Sequence, residues 1–246
     1  MSSFKKSRGS IKEYFKWRSE RSRAIVDRLD TVHKIKGQKI LEIGFGYGSL
    51  LKMLYRKGAT VVGTEVDINS YKVAKNLLPK TNKIKLVKVT DETLPFDKSS
   101  FDVVILFDVV EHVHNPKKMM RECNRVLRKD GVLYAEFTPY YSVVGHHLYD
   151  YSKLPIHYLP QALIKQLIYT KHIESAFTPD QYWNQFITLN KLRVSEFQNY
   201  VSKLTKIKEK FIVKYPDLFE MNLPFLNYLG FIKDFFIMSF EGFYRK

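Results

Sequence analysis

An α/β fold built on a doubly wound, mostly parallel sheet is the predicted architecture, and three observations carry it. Strand-like apolar runs alternate with amphipathic helical segments from residue 39 to residue 137. The first of these runs ends in a glycine-rich turn that opens a helix. The run FDVVILF at 101–107 is apolar almost throughout, as a central parallel strand covered on both faces requires. Alternation of this kind implies right-handed crossovers and helices on both sides of one open sheet.

The elements come in this order. Residues 10–30 read as a helix, with Ile11, Tyr14, Phe15, Arg18, Ser22, Ile25, Val26 and Leu29 at spacings of three and four, and Ser10 with Glu13 forming a capping box. Strand one is 39–43, and a helix over 47–57 closes at Gly58. Residues 59–64 form strand two and 70–78 a helix stopped by Pro79; strand three is 83–89 and strand four 101–107. A helix with proline at its start runs over 116–128, and strand five over 131–137. Beyond Thr138 the aromatic, histidine-containing stretch TPYYSVVGHHLYDYSKLPIHYLP lacks a period and is expected to form a lid-like insertion over the site. Helices over 160–171 and 194–203 and strands over 208–215 and 235–244 complete a seven-stranded sheet.

The 246 residues suffice for a large buried core, and 45% hydrophobic with 27% charged residues excludes wholesale disorder. A single cysteine, Cys123, excludes an internal disulfide and points to a reducing compartment. No apolar run is long enough to span a bilayer, and MSSFKKSRGS lacks the apolar segment of a secretory signal, so a cytoplasmic protein is expected. The net charge is +16; residues 1–39 hold twelve Lys/Arg against four Asp/Glu, which is half of that excess. Such a basic helical extension attracts an anionic partner (RNA, an acidic membrane surface to which the protein is peripheral, or a phosphorylated substrate), or it is a solvated helix. No linker separates a second domain, so 40–246 is read as one unit, with 40–139 the cofactor-binding half and 140–246 the lid, a substrate-facing segment and the last strands.

The decisive segment is Leu41-Glu42-Ile43-Gly44-Phe45-Gly46-Tyr47-Gly48. Glycines at a strand-to-helix turn let the backbone approach a ligand, and the helix start offers free N–H groups to an anion. Ser49 stands where a dinucleotide fingerprint starting at Gly44 needs its last glycine, and Gly48-Ser49-Leu50 lacks the lysine of a P-loop.

An acidic residue two places before glycines spaced at every second position resembles the first motif of class I S-adenosylmethionine (SAM) dependent methyltransferases, whose fold is Rossmann-like. The resemblance continues for about a hundred residues. Val61-Val62-Gly63-Thr64-Glu65 is similar to the family's second strand, and Glu65 lies 21 residues after Gly44, near the ~20-residue spacing of a ribose-binding carboxylate. Thr90-Asp91-Glu92-Thr93-Leu94-Pro95-Phe96 is similar to the third-strand motif, although Thr90 stands where the aspartate that meets the adenine amino group is usual; Asp91 one place later, or Thr90 itself, takes that role. Ser100 to Val104, Glu111-His112-Val113 and Arg125 to Gly131 resemble the fourth strand, its loop and the turn before the fifth, with Asp130 replacing a usual glycine. The resemblance thus implies SAM as cofactor, held by Glu42, Gly44, Gly46, Gly48, Glu65, Val66, Thr90, Asp91, Glu92 and Phe107.

Strand four leads into Asp108-Val109-Val110-Glu111, not the Asn/Asp-Pro-Pro-Tyr of the family's amino-group enzymes, and Cys123 lies inside a helix rather than in a nucleophile loop. Methyl transfer to a hydroxyl, or less readily an amine, of a small molecule, a saccharide or a lipid-linked precursor is therefore expected. His112, His146 and His147 are the candidate catalytic bases, with His114 and His157 nearby. Asp108 to His112 also resembles the Glu-x-x-Glu-His element of ubiquinone-biosynthesis and small-RNA 2′-O-methyltransferases, some of which hold a divalent metal there. Glu-His-Val occurs in metal-free relatives too, so no metal ligand is assigned. An RNA 2′-O-methyltransferase using the basic arm, and a SAM-binding protein without catalysis, are the alternatives. Tyr140, Tyr141, Tyr149, Tyr151, Tyr158, Tyr182, Trp183 and the aromatics from Phe225 to Phe243 either wall an acceptor pocket or fill the core.

Overall fold

The structure is a computed structural model that describes residues 11–175, 177–213 and 232–246, with side chains from residue 16 onward. Seven strands form one sheet: β1 (Lys39–Ile43), β2 (Thr60–Glu65), β3 (Ile84–Lys88), β4 (Phe101–Phe107), β5 (Leu127–Phe137), β6 (Thr205–Ile212) and β7 (Ser239–Arg245). Their spatial order is β3-β2-β1-β4-β5-β7-β6. The first five run parallel, while β7 is antiparallel to both β5 and β6. Strand order reverses between β1 and β4, the point at which a doubly wound sheet places its ligand crevice, at the carboxyl ends of the strands.

Side chains alternate across the sheet, and each face finds its own helices. On one face Ile40, Val61, Val103 and Ile105 meet α1 (Ile11–Val32), α2 (Ser49–Arg56) and α3 (Ile68–Leu77) through Ile25, Val26, Leu29, Leu50, Leu51, Leu54 and Ala74. On the other, Leu41, Val62, Val104 and Leu133 meet α4 (Pro116–Val126) and α7 (Val194–Tyr200) through Met119, Met120, Cys123, Val194 and Phe197. Ile25, Val26 and Leu29 are completely or almost completely buried, each worth ~1.5–3 kcal/mol of burial, so α1 is a wall of the core and not an appendage. Cys123 is buried, and burial pushes its thiol far above the ordinary range, which removes it as a nucleophile.

Between β5 and α7 the chain builds a third cluster of its own. Leu148, Tyr151, Ile156, Ile164, Ile168, Tyr182, Phe186 and Leu189 pack together across α5 (Gln161–Thr170) and α6 (Pro179–Ile187). The sequence pattern does not predict α6 and puts Tyr182 and Trp183 ahead of the next helix; both lie inside α6, whose start is fixed by a Thr178–Gln181 capping box with Pro179 at the first turn.

Three strand starts shift by three or four residues. Strand β5 begins at Leu127, opposite Phe101, rather than at Gly131. Strand β6 begins at Thr205, while residues 214 and 215 of the expected strand lie outside the described residues. Phe235 and Phe236 belong to the short helix α8 (Lys233–Phe236), because Asp234 is buried and accepts the Val194 N–H, and β7 starts only at Ser239. Ser10 of the expected capping box and Phe225 to Phe231 also fall outside the described residues.

Candidate active site

The glycine turn between β1 and α2 bends through positive φ at Gly44, Gly46 and Gly48. At Gly44 (φ +69) a Cβ would collide with the Val109 side chain. At Gly46 (φ +53) a Cβ would meet nothing within 4 Å, so the backbone there faces open crevice.

Glu65, at the end of β2, has one carboxylate oxygen 2.7 Å from the Gly46 N–H and the other accepting Val66 and Asp67 N–H groups at 2.8 and 3.0 Å. The carboxylate thus ties the second strand to the turn while retaining acceptor lone pairs. Glu42 is buried beneath it with Oε2 unpartnered. Burial pushes its pKa up to about 8; the Arg18 charge opposes this, Glu65 adds to it, and the Leu51 N–H opposes it weakly. A buried carboxyl with one unpartnered oxygen beside an open glycine turn fits the ammonium of a ligand that also bears a carboxylate.

Of the other expected cofactor residues, Phe107 is buried at the end of β4 and Val66 is exposed beside Glu65. Thr90 and Asp91 are exposed; the Asp91 carboxylate accepts the Thr93 N–H at 2.5 Å. Glu92 accepts the Asn115 N–H at 3.1 Å, bracing the loop before α4.

Beyond Phe107 the chain turns at Asp108, which has φ +54. Two α1 arginines reach it: Arg18 at 2.8 Å and Arg21 at 2.7 Å, their guanidinium groups 4.2 and 4.3 Å from the Phe107 ring centroid. Burial favours the neutral acid, but Arg21 and Arg18 hold the Asp108 carboxyl below the usual range. Arg21 continues to Glu136 (2.7 Å), and Arg28 reaches Glu136 (3.2 Å) and the buried Glu241 (2.6 Å). These three arginines, counted in the sequence toward a surface for anionic partners, are spent on carboxylates at the end of the sheet. Sequence reasoning does not single them out as site residues; their spacing of three and seven along one helix face is the available signal.

The 3-10 turn Val110–His112 carries Glu111 and His112. The lid segment brings His147 to them: Glu111 Oε1 and His147 Nε2 are 3.8 Å apart, the His112 and His147 rings are 5.2 Å apart, and one ligand atom from each of the three residues lies within 4.8 Å of the others. Burial and the Asp108 charge raise the Glu111 carboxyl well above its usual range, while burial lowers His112 despite Asp108. His146 is placed differently. It is fully buried and stacked on His157 at 5.6 Å, with Nδ1 accepting the Leu148 N–H, so the structure separates it from the cluster its neighbour joins.

Residues 41–135 match a family profile described as a methyltransferase domain. The ubiquinone biosynthesis O-methyltransferase of Pelagibacter ubique is 36% identical over 101 residues, covering 41% of this chain and 42% of that protein. The enzyme of the same description from Paracidovorax citrulli is 33% identical over 106 residues, covering 42% and 44%. The chain thus spans less than half the length of these two relatives. Among solved structures, an S-adenosylmethionine dependent methyltransferase from Mesorhizobium loti superposes with a TM-score of 0.58 at 14% identity, covering 92% of this chain and 96% of that one. One from Thermotoga maritima gives 0.56 at 17% identity, covering 96% and 95%. Sheet order and superposition give the Rossmann-like fold of class I methyltransferases, and residues 41–135 are similar to the methyltransferase domain.

Proposed function

We propose that this chain methylates a hydroxyl of a small molecule, a saccharide or a lipid-linked precursor. The observation that carries the reading is the convergence of Glu111, His112 and His147 beside Asp108, at the end of the strand next to the glycine turn. Bound SAM supplies an electrophilic methyl on a sulfonium. On this reading the chain's own residues do four things. The backbone of Gly44 to Gly48 and the Glu42 carboxyl hold the amino-acid end, and Glu65 accepts from the ribose hydroxyls. Phe107 and Asp108 border the reacting centre, where Arg18 and Arg21 fix the aspartate. The acceptor hydroxyl gives its proton to an imidazole of the His112–His147 pair as the oxygen–carbon bond forms, the carbon–sulfur bond breaks and sulfur keeps the electron pair. Such a positioned base contributes ~10²–10⁴-fold. The lid, anchored by its own core, excludes water from this end of the sheet. A base held neutral by burial, as His112 is, suits a hydroxyl acceptor.

A second reading is favoured by the same cluster: two imidazoles and a carboxylate with an unpartnered oxygen form a donor set suited to a divalent cation, held by Glu111, His112 and His147. The ion would lower the hydroxyl's pKa and leave the rest of the site unchanged. Among the described residues no helix is long and apolar enough to cross a membrane.

Methyl-labelled SAM incubated with the chain and fractionated cell extract tests the acceptor class. Label in small polar metabolites or lipid supports the reading; label confined to RNA replaces it with the 2′-O-methyl alternative. Turnover abolished by chelator and restored by a divalent ion selects the metal-assisted form.

A further inference from the structure

The site histidine His112 makes a side-chain contact of 3.3 Å from its Nδ1 to the hydroxyl of Thr188, immediately after α6. A threonine hydroxyl owns a single proton. Here that proton is committed elsewhere: Thr188 Oγ1 lies 2.8 Å from the Asn184 carbonyl and 3.1 Å from the Gln185 carbonyl, both acceptors only. What Thr188 turns toward His112 is therefore lone-pair density, and the contact is a hydrogen bond only if the proton between them belongs to the imidazole.

We infer that Thr188 is a positioning residue that holds His112 as its Nδ1–H tautomer and leaves Nε2 as the bare nitrogen available to an acceptor hydroxyl or a cation. The inference rests on the proposed role of His112 and adds the device that sets which of its nitrogens is basic. The residue two places on completes it. Asn190 donates its backbone N–H to the Glu111 carbonyl at 2.8 Å and its side-chain amide to the Val110 and Val113 carbonyls at 2.7 and 2.8 Å. The short segment after α6 thus grips the turn that carries Glu111 and His112 and orients its imidazole, so the lid's folding and the base's protonation pattern are joined. Thr188 lies 76 residues from His112 in sequence.

The test reads the ring nitrogens directly and needs no acceptor. Full-length chain labelled with ¹⁵N-histidine is examined by long-range ¹H–¹⁵N spectra at ~pH 8, above the ordinary imidazole range, with the His112 signals assigned by their loss in His112→Gln. The expected wild-type pattern is a neutral ring protonated at Nδ1, retained in Thr188→Ser and shifted toward the Nε2–H form in Thr188→Val, with SAM affinity unchanged within about two-fold, since Thr188 is outside the cofactor crevice. An Nε2–H ring in the wild type, or a Thr188→Val spectrum identical to it, overturns the inference. Because these spectra do not depend on methyl transfer, loss of the catalytic reading and loss of the tautomer assignment are separate results.

Discussion

The two sides of the crevice are built by different rules. The cofactor side comes from consecutive β–α units: the turn after β1 and the acid ending β2 lie within 24 residues of each other and are joined by one short hydrogen bond from Gly46 to Glu65. The acceptor side draws on four distant stretches: Arg18 and Arg21 from α1, Asp108 to His112 after β4, His147 from the lid, and Thr188 with Asn190 after α6. A local construction leaves a motif in the sequence; an assembled one leaves only residue types whose meeting depends on packing. The contrast implies that the cofactor side is rigid and generic, and that the acceptor side holds its shape only while helix and lid stay docked.

The largest expected effect falls on the local side. On the proposed assignment Glu65→Ala removes two charge-assisted hydrogen bonds to the ribose together with the tether to Gly46, so SAM affinity measured by titration calorimetry falls by ~4 kcal/mol, about 10³-fold. Unchanged affinity removes Glu65 from the cofactor site.

Next comes the docking of α1. Arg28→Ala strands the buried Glu241 and half of the Glu136 pairing, and breaking a buried ion pair from one side costs about 3 kcal/mol. A urea midpoint no lower than that of the wild type contradicts the idea that these arginines clamp the helix to the sheet.

The lid supplies the pH test. Burial, with His157 adding to it, lowers His146 to about 4, and burial lowers His157 to about 4; both ordinarily titrate near 6.5. Between those values the unfolded lid binds more protons than the folded one, so the stability these neutral rings contribute is complete above 6.5 and is lost as pH falls toward 4. A loss of about 2 kcal/mol from each ring, about 4 kcal/mol together, is expected by about pH 5. Limited proteolysis should then cut the segment 138–175 faster at about pH 5 than at neutral pH while β1 to β4 stay protected; equal cutting at both denies the lid its histidine lock.

The smallest effect settles the adenine contact. Thr90→Val and Asp91→Asn each remove at most one hydrogen bond, so whichever residue meets the adenine amino group should weaken SAM binding by ~1 kcal/mol and the other should leave it alone. Two neutral substitutions would place the contact on neither.

Most of what is periodic or glycine-dependent is legible in the sequence. Seven-residue FDVVILF ending in Phe107 shows its burial as an apolar run broken only by Asp102, six-residue TVVGTE ending in Glu65 is placed by its position after the glycine-turn helix, and the order of elements implies the sheet's topology. The C-terminal third is harder because its aromatic residues serve two purposes at once: Tyr182 fills the lid core while Tyr158 is exposed, and no period separates them. Helix α6 escapes sequence reasoning although Thr178-Pro179-Asp180-Gln181 is a capping box with proline at the first turn, because the apolar stripe behind that signal is short. Arg21 reads as surface charge because charge alone does not reveal that Asp108 and Glu136 await it 87 and 115 residues away. His146 and His147 are adjacent and equivalent in sequence; only the fold sends one into the lid core and the other to Glu111.

One measurement bears on the core assignment most directly: the crystal structure of the chain grown with saturating S-adenosylhomocysteine, the demethylated cofactor. Density lying over the backbone from Gly44 to Gly48, with the ribose hydroxyls on the Glu65 carboxylate, is the expected result. A nucleoside bound anywhere else, or that crevice bare at saturation, would contradict it.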